Sequence, residues 1–301
     1  MSAGLKRLLR DLSALPLEGR VRARVRELLA SDPGRVFSAL RRPTVGALIR
    51  CSRSGRVEPR LASVLAAELG LDADPSLPCL STRRPEGAFH PVERDLVLAT
   101  VDVNPLALVE AHPDKDGNAV DLGGHDARAW CDALREALGV IEAYAPVVRE
   151  EIDLVIQQVV PVGYDEERHL SASYAEAVGT IYLTLHPNVM TMTEALIHEH
   201  QHNKLNALFD LDPILENDFD ERYASPVRPD PRPLFGILLA VHAFLPVEAL
   251  YRRRLDAGAA HLERRYAQIV EKNREGAAVL LEHARPTAVG RGLLDEIARL
   301  S

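Results

Sequence analysis

The chain has 301 residues, 47% apolar and 27% charged, with a formal net charge of −8. This is the composition of an ordinary globular protein with room for one large domain or two small ones. The acidic balance argues against a nucleic-acid partner, because no dense Lys/Arg face offsets it. No apolar run reaches the roughly 18 residues that a membrane span needs. The opening residues 1–10 hold no apolar stretch followed by a cleavage site, so a cytoplasmic location is expected. Cys51, Cys79 and Cys131 are widely spaced, with no CxxC, and read as reduced and buried.

Residues 17–71 read as helices, because Leu28, Leu29, Val36, Leu40, Leu48, Ile49, Leu61, Val64, Leu65 and Leu69 recur at helical spacing. Pro75, Pro78, Pro85, Gly87 and Pro91 then break regular structure over 72–91. A β-rich run follows from Asp95 to Val103 and stops at Asn104-Pro105. His112 to Gly124 is a polar loop. Asp126 to Pro146 is a helix around Trp130, Leu134, Leu138 and Ile141. A second strand is expected over Asp153–Val160, stopped by Pro161 and Gly163, and a third over Gly179–Leu185, stopped by Pro187.

Thr191 with Glu194 three residues later reads as a capping box that opens a helix, which Asp212-Pro213 closes. An acidic loop (Glu216 to Glu221) and a Pro/Arg segment (Ser225 to Pro233) separate it from a helix running from Leu234 through His242 to Arg254. A long helix covers about 258–284, with Leu262, Tyr266, Ile269, Val270, Leu280 and Leu281 on one stripe. The expected fold is α+β, mostly α, with a small β-sheet packed on helices. Residues 1–90 form a helical N-terminal region. Residues 91–301 form the catalytic region, and the two are expected to pack as one unit.

The run His198-Glu199-His200-Gln201-His202 is an HExxH motif. On a helix, His198 and His202 lie four residues apart, so both imidazoles project from one face and can grip one divalent metal. Glu199 sits beside that metal without having to bind it. The strand expected just before the helix is the order found in zincin-type folds. His200 points away from His198 and reads as a supporting or surface histidine. A third ligand is needed. The metzincin spacing would require glycine at 205 and histidine at 208, but Leu205 and Leu208 stand there. Glu216 and Asp220 match an ExxxD pattern within a polar loop. His242, on the next helix among Leu239, Val241, Phe244 and Leu245, is the better candidate, its alternative being a core histidine. Glu248 on that helix reads as surface.

Ser171-Ala-Ser173, Val178 to Leu183, Glu194 to Leu208, Tyr223 to Gly236 and Ala243-Phe244 form one ordered series. This series resembles the HExxH-motif peptide-modification family of bacterial natural-product clusters, described as α-ketoglutarate-dependent HExxH-type peptide β-hydroxylases. The specific part covers 171–254. Its most telling stretch is Ser225-Pro-Val-Arg-Pro-Asp-Pro-Arg-Pro233. A tryptophan is common in the family before the first arginine of that stretch, where this chain has Val227.

The resemblance implies a mononuclear Fe(II) site that uses 2-oxoglutarate and O₂ to hydroxylate the β-carbon of a residue in a ribosomally made precursor peptide. His198, His202 and a third side chain (His242 by inference) would hold the iron. Arg228 and Arg232 would hold the far carboxylate of 2-oxoglutarate, or else pair with Asp230 and the 216–221 acids. Ser171 and Ser173 would line the substrate pocket, or else make turn hydrogen bonds. Glu199 would support a ligand histidine or a water rather than act as a peptidase base. The competing reading is a zinc metallopeptidase or amidase, with Glu199 deprotonating a Zn(II)-bound water. A non-catalytic peptide-binding protein is the third. Neither the peptide nor the oligomeric state is legible.

Overall fold

The computed structural model describes residues 19–53, 60–70, 87–102 and 119–300. Residues 72–86 of the expected break at 72–91, the end of the first strand at 103, most of the polar loop and Cys79 lie outside the described residues. The chain is α+β and mostly α, with a five-stranded mixed sheet. It divides into two compact units, one up to Asp132 together with Ile156–Pro187, the other Ala133–Val155 together with Asn188–Ser301.

Among the described residues the first unit has four helices before its sheet, α1 (Gly19–Ser31), α2 (Pro33–Leu40), α3 (Pro43–Arg53) and α4 (Arg60–Glu68). Asp32 caps α2 by accepting from the Arg35 N–H, with Pro33 in the first turn, where its missing N–H costs nothing. Val21, Val25, Leu28, Val36, Leu48, Leu61, Leu65 and Leu69 form a core shared by the four helices, as their spacing predicts.

The sheet has the order β1 (Phe89–Glu93), β2 (Leu96–Ala99), β3 (Gln158–Tyr164), β5 (Thr180–Leu185), β4 (Ser171–Ala172). β1 and β2 form an antiparallel hairpin, β2–β3 and β3–β5 are parallel, and β4 is antiparallel on β5. The β5 residues are all buried, as suits a strand covered on both faces. Two expectations fail here. β1 occupies part of the predicted break, with Pro91 inside it, on the sheet edge where a missing N–H is tolerated. β3 begins at Gln158 and runs through Pro161 to Tyr164. Pro161 sits at a register shift past the last β2 pair, so no ladder bond from its nitrogen is needed.

Helix α5 (Ala127–Tyr144) contributes residues to both units and is capped by Asp126, which accepts from Ala129 N–H. The second unit continues with α6 (Pro146–Val155), α7 (Val189–Phe209), α8 (Leu234–Asp256), α9 (Glu263–His283) and α10 (Ala288–Leu300). Asp153-Leu-Val155, read as strand, is the last turn of α6. Pro146 opens that helix rather than ending α5.

The core of this unit joins Leu205 to Ile237, Leu238, Val241, Leu245, Leu280, Leu294 and Ile297. α9 lies close on α8 because Gly276 faces Val241. A Cβ at 276 would come within 2.5 Å of Val241 Cγ2. By length and composition α8 is apolar enough to cross a membrane, which corrects the reading that no such run exists. Ile237, Leu238, Val241 and Leu245 bury its apolar face within this unit.

Candidate metal and anion site

α7 starts at Val189, with Asn188 as its cap accepting from Met190 N–H. Thr191 is therefore inside the helix, and Glu194 is released from the expected capping box for another role. Glu194, His198 and His202 follow at intervals of four and share one face. The His198 and His202 Nε2 atoms are 2.8 Å apart, with the rings nearly perpendicular. Phe244 of α8 packs edgewise on His198, with ring centroids 4.7 Å apart. With no cation between the two nitrogens, one must carry a proton directed at the other. With a cation, both lone pairs converge on it. Two neutral imidazoles converging in this way fit a divalent metal. The Nδ1 of His198 is buried without a partner.

The pair lines a cavity of about 480 Å³. The loop before α8 supplies Val227, Arg228 and Arg232, α8 supplies Gly236, Leu239, Ala240 and Phe244, and α9 supplies Arg265, Ile269 and Lys272. Tyr223 and Arg232 exchange two backbone hydrogen bonds, of 2.8 and 2.9 Å. These pin the base of the loop and leave Val227 and Arg228 at its far end to face the cavity. Arg232 also pairs with Asp230 at 2.9 Å. Four cations and two imidazoles are thus the ionisable groups of the lining, and no carboxylate is among them.

Arg265 and Lys272 escaped the sequence reading, which gave α9 one apolar stripe of Leu262, Tyr266, Ile269, Val270, Leu280 and Leu281. Arg265, Ile269 and Lys272 share a face of α9, but their spacing alone does not say what that face meets. Arg265 is held by three helices. Its guanidinium donates two hydrogen bonds to Glu194 of α7, and Tyr251 of α8 donates a third, 3.1 Å long, to the same carboxylate. The Glu194 carboxylate raises the Arg265 pKa, while burial, together with that carboxylate, raises the Tyr251 hydroxyl, so both remain protonated donors. One edge of the guanidinium is clamped, and Arg265 still lines the cavity.

The other predicted residues are placed as follows. Glu199 is buried (2% exposed) and is not part of the cavity lining. His242 lines a different, smaller cavity, with Glu151, Gln201 and Lys204. Burial pushes its imidazole pKa down to about 3. His200 is fully buried and lies 3.4 Å from Glu151, whose other oxygen binds Lys204 at 2.6 Å. Burial lowers the His200 pKa, so the neutral ring donates to Glu151. That hydrogen bond and the Lys204 ammonium hold the Glu151 carboxyl near 2. Glu248 accepts from the Asn273 amide at 2.8 Å and helps join α8 to α9. Ser171, in β4, and Ser173, just after it, belong to the first unit. Glu221 of the acidic loop is tied up by Tyr223 and Arg285. Among the described residues no group of three or more His, Cys, Asp or Glu side chains is gathered to hold a metal. No protein-family model matches the chain, and no curated protein matches it.

Proposed function

We propose that the chain is an Fe(II)/2-oxoglutarate-dependent oxygenase that β-hydroxylates a residue of a ribosomally made precursor peptide in the cytoplasm. The observation that carries this reading is the lining of the main cavity. A converging histidine pair stands among Arg228, Arg232, Arg265 and Lys272; Asp230 and Glu194 each pair with one of these arginines from outside the lining, which holds no carboxylate itself. Such a lining suits a small dianion beside a metal, because guanidinium groups bind carboxylates through paired hydrogen bonds. The cavity volume lies within the roughly 300–1,000 Å³ common for ligand sites, which leaves room for a substrate side chain beside 2-oxoglutarate. In the chain α7 follows β5 after residues 186–188 alone, the strand-then-helix order that the zincin-like reading expects.

When bound, the iron supplies coupled oxidation: 2-oxoglutarate and O₂ become succinate and CO₂, and one oxygen atom enters the peptide C–H bond. His198 and His202 would hold the metal as neutral donors. Arg265, clamped by Glu194, and the loop arginines would orient the far carboxylate of the cosubstrate. Leu239, Phe244 and Ile269 give the cavity an apolar wall, which lowers the local dielectric and strengthens these contacts. Ser171 and Ser173 are the candidates for contact with the peptide.

The zinc hydrolase reading needs Glu199 at a metal-bound water, and its burial outside the cavity lining disfavours that role. The test is a precursor peptide incubated with enzyme, Fe(II), 2-oxoglutarate and O₂. A gain of one oxygen atom on the peptide supports the reading. Zinc-dependent cleavage that Glu199→Gln abolishes would replace it with the hydrolase.

A further inference from the structure

α6, α7, α8 and α10 enclose the second cavity, of about 170 Å³. Its walls are aliphatic: Val148, Leu245, Pro246, Leu293 and Ile297, with Val147 (67% exposed) and Leu300 (56% exposed) at the mouth. Two polar side chains face into this lining while almost fully buried, Gln201 (2% exposed) and His242 (8% exposed). The Nδ1 of His242 is buried without a partner, and the Gln201 amide makes no side-chain hydrogen bond among the described residues. Within α8, Pro246 has no N–H to offer the carbonyl of His242, four residues before it. Buried amides and imidazoles without partners are uncommon, and each costs stability unless something hydrogen-bonds to it. The clustering of such groups in one cavity marks a site rather than a packing fault.

We propose that this cavity is a second binding site, separate from the histidine pair, for an uncharged ring-sized group that carries one hydroxyl. The size follows from the volume, since an apolar cavity of about 150 Å³ takes a benzene ring. The hydroxyl follows from the orphan groups. It can donate to the His242 ring and accept from the Gln201 amide. The lack of charge follows from the surroundings. Lys204 and Glu151 already neutralise one another at 2.6 Å, Glu296 adds a negative charge at the rim, and the aliphatic walls penalise an ion. The proposal stands on these residues alone and does not depend on the oxygenase reading.

The test is titration of the full chain with phenol, benzene and benzoate, followed by calorimetry and by thermal shift. Phenol should bind one per chain, about fivefold or more tighter than benzene, the factor expected for one net hydrogen bond. Benzoate should bind weakest. Gln201→Met and His242→Leu should each erase the advantage of phenol over benzene without lowering Tm at neutral pH, because each removes an orphan polar group. Leu293→Trp, which fills the cavity from its partly exposed side, should abolish both ligands and serves if either other variant fails to fold. N-acetyltyrosinamide distinguishes the sources. Binding as tight as phenol assigns the site to a tyrosine side chain of a polypeptide, and binding of phenol alone assigns it to a free small molecule. Equal affinity for phenol and benzene, phenol binding unchanged in all three variants, or an ordered water between Gln201 and His242 that phenol does not displace would overturn the proposal.

Discussion

The buried imidazole of His242 makes the metal-free chain acid-sensitive in a defined window. Its pKa is about 3 in the fold, against about 6.5 for an unperturbed histidine. The unfolded chain therefore binds more protons below pH 6.5, and stability falls as pH falls. Between pH 7 and pH 5 the loss from this one group is about 2 kcal/mol, and it reaches about 5 kcal/mol once pH drops below 3. Glu151 does not contribute in the same window. Its pKa lies near 2, below the usual 4.5, so its stabilisation is intact above pH 4.5 and disappears as pH falls through 2. His200 shifts in the same direction as His242 and adds to the loss. Urea unfolding of wild type and His242→Leu at both pH values isolates the His242 share. The variant should lose about 2 kcal/mol less than wild type on moving from pH 7 to pH 5. Parallel losses in the two proteins would refute the claim that a neutral imidazole is buried there.

Four further outcomes are expected. His198→Ala and His202→Ala should each weaken Fe(II) or Co(II) binding by about 100-fold or more, read by equilibrium dialysis, since each removes one of two converging donors. Arg265→Gln should raise the dissociation constant of 2-oxoglutarate about tenfold or more, the factor for one charge-assisted hydrogen bond, with Tm as the control for folding. Glu199→Gln should retain part of the succinate-forming activity, because Glu199 lies outside the cavity lining. Gly276→Ala should lower stability by about 1–2 kcal/mol despite its better helix propensity, because Val241 is buried, β-branched and unable to rotate away. Thermal unfolding reads that change.

The helices of the first unit, β5 and α7 with its histidine pair were legible because their apolar spacing and their tertiary surroundings agree. α6 was not. Asp153-Leu-Val155 looks alike in a strand and in a buried helix turn, and only Pro146 in the first turn marks the helix start. Pro91 and Pro161 were read as stops, yet an edge strand and a register shift admit them. At the site, the loop arginines were recoverable from the Pro/Arg segment. Arg265 and Lys272 were not, because their role depends on how α9 lies on α8, which Gly276 permits and no local pattern states. The same limit applies to His242. Its helix was foreseen, but the face it presents was decided by packing.

The most direct test is succinate formation by the full chain, reconstituted anaerobically with Fe(II) and then given 2-oxoglutarate and O₂, compared with His202→Ala. Under the oxygenase reading the wild type turns over and the variant does not. Tight retention of zinc with Glu199-dependent peptide cleavage, and no succinate from either protein even with precursor peptide present, would contradict it.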